Sequence, residues 1–436
     1  MKVTGIIAEY NPFHNGHQYH LERAKALTGA DAVVVIMSGP VTQRGEAALC
    51  DKWSRAEMAV RSGADLVLEL PFAFACNSAE EFARGGVSIL NGLGCVADLV
   101  FGCESDPEII IAMAKASAEQ EERFSELIRS GLDDGLSYPV ARGRAMLSFC
   151  DPEAIASLDR PNDILAAEYV RQIVLQRSQI VPHGVMRRGS YHDTEIRDEE
   201  TKFSSATAVR QAVMENRWDD VGHAVPDSTR TMLKVLEERN ELTGLQKSGM
   251  DLMILSHLLH LGPEGIRNMH GCAEGLEYRL WNVLSQVTSV DELLKETASG
   301  RYPTARLRRL LVHSLVGLTK DRFEQIRMGA DQGELYARVL ACSETGAKLL
   351  KKIKKTEGTI PVYTNLNREL SDDEKKILKG ERICEEGVLV SPAVISLALD
   401  VRAGNFLQMG CGKRLYDGSD FVKCPYIAHK NEKNHK

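Results

Sequence analysis

The sequence predicts an α/β protein: an open, Rossmann-like, doubly wound parallel sheet over residues 1–217 and a mainly α-helical C-terminal domain over residues 218–436. Three observations predict it. Short apolar runs alternate with helical stretches through the first half, the pattern of strand–helix–strand units. The runs are apolar throughout, as parallel strands covered on both faces must be. After Arg217 the alternation gives way to helical periodicity, from Thr229 to Leu261 and from Ala305 to Leu318.

Taken in order, the strand-like runs are Val3–Ala8, Ala32–Met37, Leu66–Leu70, Asp98–Phe101 and His183–Arg187, which predicts a five-stranded parallel sheet. Between them, helices are expected at Gly16–Leu27, Lys52–Arg61, Ser78–Leu90 and Ile109–Arg129. A polar, helix-rich insert of about residues 107–179 separates the fourth and fifth strands. Asp219, Asp220, Pro226 and Asp227 mark a boundary near residues 217–228. Open sheets of this kind bind ligands outside the carboxyl ends of their strands, so the segments just after each strand are where chemistry is expected.

Composition narrows the class. The 436 residues exceed one ordinary domain of roughly 100–200 residues. Apolar residues at 43% and charged residues at 26% suit a globular protein with a substantial core. The net charge of −7 argues against indiscriminate coating of nucleic acid but allows a local basic patch. The opening MKVTGIIAEYNPFHNGH does not read as a signal peptide, and no apolar run approaches the ~18 residues of a membrane helix. The ten cysteines form no C-x-x-C pair, so neither a zinc site nor a redox motif is signalled, and a cytoplasmic protein with reduced thiols is expected.

Two motifs carry the chemistry. The first strand runs into A-E-Y-N-P-F-H-N-G-H, which sets His14 and His17 at the start of a helix, three residues apart and on one face. A helix N-terminus attracts anions, and two imidazoles beside it can donate hydrogen bonds to phosphate oxygens. Placing donors where charge develops supplies most of the catalysis in phosphoryl or nucleotidyl transfer. Gly16 would let a nucleotide approach the backbone closely. The competing reading is a pair of capping or surface histidines. The second motif, K-F-S-S-A-T-A-V-R (Lys202–Arg210), follows the fifth strand. Ser204 or Ser205 can cap a helix there, and Arg210 can clamp a polyphosphate with them. An ordinary capped helix is the alternative.

The pairing of H-N-G-H with a later S-S-A-T-A-V-R resembles the HIGH-type nucleotidyltransferase superfamily. Within it, the chain is similar to the bacterial tRNA(Met) cytidine acetate ligase family. The likeness rests on Ala8–Leu21, S-G-x-x-x-Q-R-G-E (Ser38–Glu46), L-E-L-P-F (Leu68–Phe72), F-G-C-E (Phe101–Glu104), P-N-D-I-L-A-A-E-Y (Pro161–Tyr169), R-R-G-S-Y-H-D (Arg187–Asp193) and R-Y-P-T-A-R-L-R-R (Arg301–Arg309). It implies a HIGH-type nucleotidyltransferase sheet and a two-step reaction. Acetate attacks the α-phosphate of ATP, and the resulting acetyl-adenylate acetylates the wobble cytidine of elongator tRNA(Met), yielding N(4)-acetylcytidine and AMP. It implies ATP contacts along Ile7, Ala8, Glu9, Tyr10, Asn11, Pro12, Phe13, His14, Asn15, Gly16, His17, Gln18, Tyr19 and His20. Further contacts are implied at Gly102, Asn162, Arg187 and Arg188. The chain departs from the family pattern at Cys103, where F-G-S-E is expected, and at Asp163 and Ala166, where Asn and Gly are expected.

The residues agree with part of this independently. Gly102 follows the fourth strand, where a base or ribose would lie, and Arg187 can offer phosphate a planar donor fork. Asn162, between Pro161 and an apolar helix, reads equally as a helix cap. Gln43 and Arg44 sit in a Gly-flanked loop that either closes over substrate or is merely solvated. Magnesium is expected with ATP polyphosphate, but no carboxylate cage or other protein metal site is read.

An RNA partner is argued from charge. Residues 301–355 hold 13 Lys or Arg against five Asp or Glu, a local +8, so the remainder of the chain carries −15. Arg306, Arg309 and His313 share one helical face, and Lys348, Lys351, Lys352 and Lys355 share another, with apolar residues between them expected to pack inward. Concentrated charge in an acidic chain suits phosphate-backbone binding, here of tRNA; a solvated surface is the alternative. Two other functions compete with the acid ligase: a small-molecule adenylyltransferase, and an RNA-binding module on a dead nucleotide fold.

Overall fold

The computed structural model of the chain describes residues 1–151, 158–187, 204–243, 247–273, 275–356, 359–381, 390–415 and 420–428. Its centre is a twisted sheet with strands β1 (Val3–Ala8), β2 (Ala32–Ser38), β3 (Leu66–Leu70), β4 (Val96–Cys103), β5 (Val181–Met186), β6 (Ala337–Cys342), β7 (Val362–Tyr363) and β8 (Tyr426–Ile427). Their order is β5-β4-β1-β2-β3-β6-β7, with β8 also on β6. The first five strands pair in parallel, as expected. The sheet does not stop at five: β6 adds antiparallel to β3, and β7 and β8 run parallel to β6. The C-terminal half thus extends the sheet as well as adding helices.

The central strands show why the sheet is buried on both sides. In β2, Val34 and Ile36 enter one apolar core while Val33, Val35 and Met37 enter the other, because successive side chains point to opposite faces. One face is covered by the helices Ala79–Gly92 and Pro161–Leu175, the other by Asn15–Thr28 and Lys52–Arg61. Asp51 caps the Lys52 helix by accepting from the Trp53 and Ser54 N–H groups, and Ser78 caps the Ala79 helix. Close packing there needs glycine: a Cβ on Gly85 would lie 2.4 Å from Phe74, and one on Gly86 2.5 Å from Ile7.

Helix boundaries differ modestly from expectation. The stretch Ile109–Arg129 is two helices, Pro107–Glu119 and Glu121–Asp133, broken at Gln120. In the second half a third core unites the helices Lys247–Arg267, Leu276–Leu284, Val290–Thr297 and Thr304–Val316. The helix Pro392–Gly410 joins this half to the sheet: Leu399 and Ala403 enter a sheet core, while Val394, Leu397 and Val401 enter a fourth cluster. Among the described residues no helix is long and apolar enough to cross a membrane.

Candidate active site

The carboxyl ends of β1, β4 and β5 converge on one cavity of about 370 Å³. Its floor is built by the turn after β1. Tyr10 takes a left-handed φ of 47° although it is not glycine, and is fully buried, with its ring 4.8 Å from Phe13 and 4.7 Å from His17. Such strain persists only where packing over-determines the backbone. His14 is the N-cap of the helix Asn15–Thr28: its Nδ1 accepts from Gly16 N–H at 3.1 Å. His17, in the third helical position, accepts His14's own N–H on Nδ1 at 3.3 Å, closing a reciprocal capping box.

These bonds settle the tautomers. Each Nδ1 is an acceptor, so a neutral ring carries its proton on Nε2, which is then a donor. The two rings stack at 3.6 Å. Burial first, then the nearby cations Arg187 and Arg210, push His14 down to about 3. Burial and then His14 and Arg187 hold His17 well below its ordinary value, and His20 falls to about 4 for similar reasons. The histidine cluster therefore presents neutral N–H donors at neutral pH. Gly16 is explained by this arrangement: a Cβ there would lie 2.9 Å from His14 Cε1. The close approach it permits is that of the His14 ring.

Across the cavity, Ser205 caps the helix Ala206–Met214 by accepting from Ala208 N–H at 3.0 Å. Arg210 donates to the Asn11 carbonyl at 2.9 Å and to Thr207 Oγ1 at 3.1 Å. On the third side Asn162 bridges two groups, donating to Glu104 Oε1 at 2.7 Å and accepting from Arg187 at 3.0 Å. It is not the helix cap, because Arg160 occupies that position and Pro161 opens the helix. The loop after β2 forms a fourth side. Gln43 N–H donates to Glu9 Oε1 at 2.7 Å, and Thr42, Arg44 and Glu46 line the wall. Burial keeps the Glu9 carboxyl above the usual carboxylate range, against the Gln43 N–H and the charges of Arg210 and Arg44.

Of the residues expected to hold ATP, Ile7, Ala8, Glu9, Tyr10, Asn11, His14, Gly16, His17, Tyr19, His20, Gly102, Asn162, Arg187, Ser205 and Arg210 all line this cavity. Pro12 and Phe13 are instead turned into the protein, and Phe13 belongs to the sheet core. Asn15 donates to the His223 carbonyl and Gln18 to Glu22, both away from the cavity, and Ser204 precedes the cap without reaching the wall. Arg188 and Lys202 lie outside the described residues. Sequence reasoning gave no role to Phe82, Phe101, Leu165 and Tyr169, which supply apolar wall. Tyr169 stood in a quoted motif, and its aromatic type at a helix face was the available signal.

The departures from the family pattern pack away from the cavity. Cys103 is buried, with its thiol 3.7 Å from the Val185 carbonyl. Asp163 accepts from Glu104 N–H at 2.6 Å and from the Ser105 hydroxyl at 2.7 Å, fixing the loop after β4, and Ala166 is wholly buried.

The basic segment divides in two. Lys348, Lys351 and Lys352 project from the helix Glu344–Ile353 and Lys355 follows it, all exposed, while Leu349, Leu350 and Ile353 are buried. Arg306, Arg309 and His313 face inward. Arg306 donates to the Gly271 carbonyl at 3.4 Å, Arg309 to the Gln43 carbonyl at 3.4 Å, and buried His313 meets the Cys76 carbonyl at 2.5 Å and that of His270 at 3.1 Å. Gly45, at φ 78°, lets the Gln43 loop sit on the Arg308–Arg309 backbone, where a Cβ would come within 2.9 Å. That face clamps the loop bordering the cavity.

A doubly wound sheet with stacked, neutral histidines at its first helix start, facing a serine-capped helix and two arginines, defines a nucleotidyltransferase of the HIGH type. The sequence matches the family described as HIGH Nucleotidyl Transferase over residues 1–412. It is 36% identical over 381 residues to the tRNA(Met) cytidine acetate ligase of Halothermothrix orenii, covering 85% of this chain and 88% of that one. It is 37% identical over 388 residues to that of Thermosipho melanesiensis, covering 86% and 89%. The fold superimposes on a crystal structure of Thermotoga maritima TmcAL bound with alpha-thio ATP, with TM-score 0.83, 32% identity and coverage of 98% and 99%. It matches the apo form of that protein with TM-score 0.85. The chain belongs to the HIGH nucleotidyl transferase family, in its tRNA(Met) cytidine acetate ligase branch.

Proposed function

We propose that the chain activates acetate with ATP and acetylates the wobble cytidine of elongator tRNA(Met). The observation that carries this reading is the pair of stacked imidazoles, each with Nδ1 occupied by a backbone N–H, so that both Nε2–H groups are donors beside the helix N-terminus. The relatives named as tRNA(Met) cytidine acetate ligases, and the TmcAL bound with alpha-thio ATP, support the substrates.

In the first step an acetate oxygen attacks the α-phosphorus and the bond to pyrophosphate breaks. His14 and His17 stabilise the charge on the α-phosphate, and Arg187 and Arg210 hold the polyphosphate. In the second, the N4 amine of cytidine attacks the acetyl carbonyl, the carbonyl–oxygen bond to AMP breaks, and the nitrogen releases one proton. Magnesium is proposed as the counter-ion of ATP's polyphosphate. A cytoplasmic location follows from the proposed substrates, ATP and tRNA.

Acetate should drive exchange of labelled pyrophosphate into ATP, and added tRNA should convert this into AMP release and acetyl transfer to cytidine. Exchange is expected to strengthen with tRNA, because binding energy can order a site. AMP transfer to a phosphopantetheine or mononucleotide acceptor, with acetate inert, would replace this reading by a small-molecule adenylyltransferase.

The four exposed lysines, Lys348, Lys351, Lys352 and Lys355, are proposed as the tRNA backbone contact, and Arg306 and Arg309, which face inward, as acting separately, Arg309 through the Gln43 loop. Reversing the four to Glu should weaken tRNA binding and flatten its salt dependence, each lost phosphate contact lowering the log–log slope by roughly 0.7–0.9. ATP affinity should not change. Equal tRNA affinities for the variant and the parent in low salt would show that these lysines are solvated surface.

A further inference from the structure

The nucleotide cavity has a neighbour. A second cavity of about 270 Å³ lies on the far side of Glu46 and Arg210, and these two residues line both. It opens between the Val41–Leu49 loop of the sheet half and the helices Lys247–Arg267, Thr304–Val316 and Pro392–Gly410. The floor is apolar: Ile254, Leu311, Val312 and Leu407 are each at most 5% exposed. The rim is charged. Arg308 meets Glu46 Oε1 at 2.7 Å and Asp291 Oδ1 at 3.7 Å, and Asp251 accepts Val290 N–H at 3.3 Å. Asp291 is 65% exposed, so the rim faces solvent. The Thr243 hydroxyl is committed to the Ala48 carbonyl at 2.8 Å.

We infer that this second cavity receives the acceptor base, one cytosine flipped out of its RNA, with its exocyclic amine turned toward Glu46 and the adenylate beyond. The inference rests on the acid-ligase reading and adds the site of the acceptor.

Three features carry it. The acyl acceptor must reach a carbonyl held at the α-phosphate, and this cavity adjoins the nucleotide cavity through the side chains of two residues. Its volume lies just below the ~300–1,000 Å³ of pockets for drug-sized ligands, which suits a single-ring base. Its chemistry also fits. Enzymes that modify a base take it out of the stack and hold it against apolar side chains while polar groups read its edge. Cytosine offers an N4 amine that carboxylates accept from, and uracil has a carbonyl oxygen in the same place. Glu46 and Asp291, oriented by Arg308, favour the amine and repel the carbonyl.

The test separates acceptor binding from adenylation. Ile254→Trp fills the floor without touching the nucleotide cavity. It should leave acetate-dependent pyrophosphate exchange within about twofold and cut acetyl transfer to tRNA by about tenfold or more, because the base is shut out of its apolar seat. Independently of any variant, an anticodon stem-loop with 5-bromocytidine at the acceptor position, irradiated on the wild-type protein with ATP and acetate, should crosslink to peptides containing Ile254, Leu311 or Leu407. Undiminished transfer by folded Ile254→Trp, loss of exchange together with transfer, or crosslinks confined to other peptides would each overturn the assignment. Wild-type acetyl transfer, scored alongside, tests the ligase reading itself, so the two can fail separately.

Discussion

Replacing His17 with alanine is expected to slow acetyl-adenylate formation by about 100-fold or more while the protein stays folded, the effect of removing one donor aimed at developing charge. His17 lines the cavity, and its Nδ1 is engaged by the His14 N–H at 3.3 Å, which leaves Nε2–H as the donor the proposed reaction requires. The structural cost is bounded. The lost contacts are one reach-back capping bond and ring packing on His14, Tyr10 and Phe13. A cap is worth about 1 kcal/mol. His17→Glu is the control: its carboxylate oxygen can restore the capping box, as Glu does at this position, but it offers no donor. It should recover the melting temperature but not the rate. Pyrophosphate exchange and thermal unfolding, measured together on both variants, decide the matter. If activity returns in step with stability, His17 is a cap and not a catalytic donor.

The histidine pair was legible because its logic is local. Strand, turn and helix start fall within residues 3–17, and a spacing of three fixes a shared face. The five parallel strands were legible for a similar reason, since each is a short apolar run between breakers. β6 was not. Its run A-R-V-L-A-C contains Arg338, and a charged residue in a buried strand reads as a helix surface. Arg338 is fully buried because Asp420, 82 positions later, supplies a carbonyl at 3.0 Å and a carboxylate at 3.5 Å. Arg309 misled in the same way: charge on an amphipathic helix reads as surface until Gly45 brings the Gln43 loop down onto it. The role of Asn162 was hidden because a polar residue after proline looks like a cap, whereas its partners Glu104 and Arg187 directly follow β4 and β5.

The same buried chemistry gives the largest expected effect on stability. Lys52 is 4% exposed and its ammonium lies 2.6 Å from Glu69 Oε2 and 2.8 Å from Asp420 Oδ1, themselves almost wholly buried. Attraction to these carboxylates outweighs burial and holds Lys52 above its ordinary value. Burial pushes Glu69 up, with Lys52 pulling against it. Lys52→Met keeps the volume and removes the charge, leaving the buried carboxylates of Glu69, Asp420 and neighbouring Asp400 with the guanidinium groups of Arg338 and Arg55. Breaking a buried pair from one side costs about 3–5 kcal/mol. The sign with pH follows from the carboxylates. Without Lys52 the folded-state value of Glu69 rises further above 4.5, so the folded variant favours the protonated acid while the unfolded chain ionises above that pH. The variant should therefore lose stability as pH rises from about 4.5 toward neutrality, and its deficit against the parent should be smallest in acid. Glu69→Gln in the Lys52→Met background should recover part of the loss at neutral pH. Chemical denaturation at pH 4.5 and pH 7.5 checks this, and a deficit independent of pH would show that packing, not charge, holds Lys52 in place. The consequence reaches the site: the Glu69 carboxylate fills the space beside Gly39, and Arg55 binds the Glu9 and Gly39 carbonyls. Exchange activity should fall with the network, because these residues hold the ends of β1 and β2 where the proposed nucleotide cavity begins.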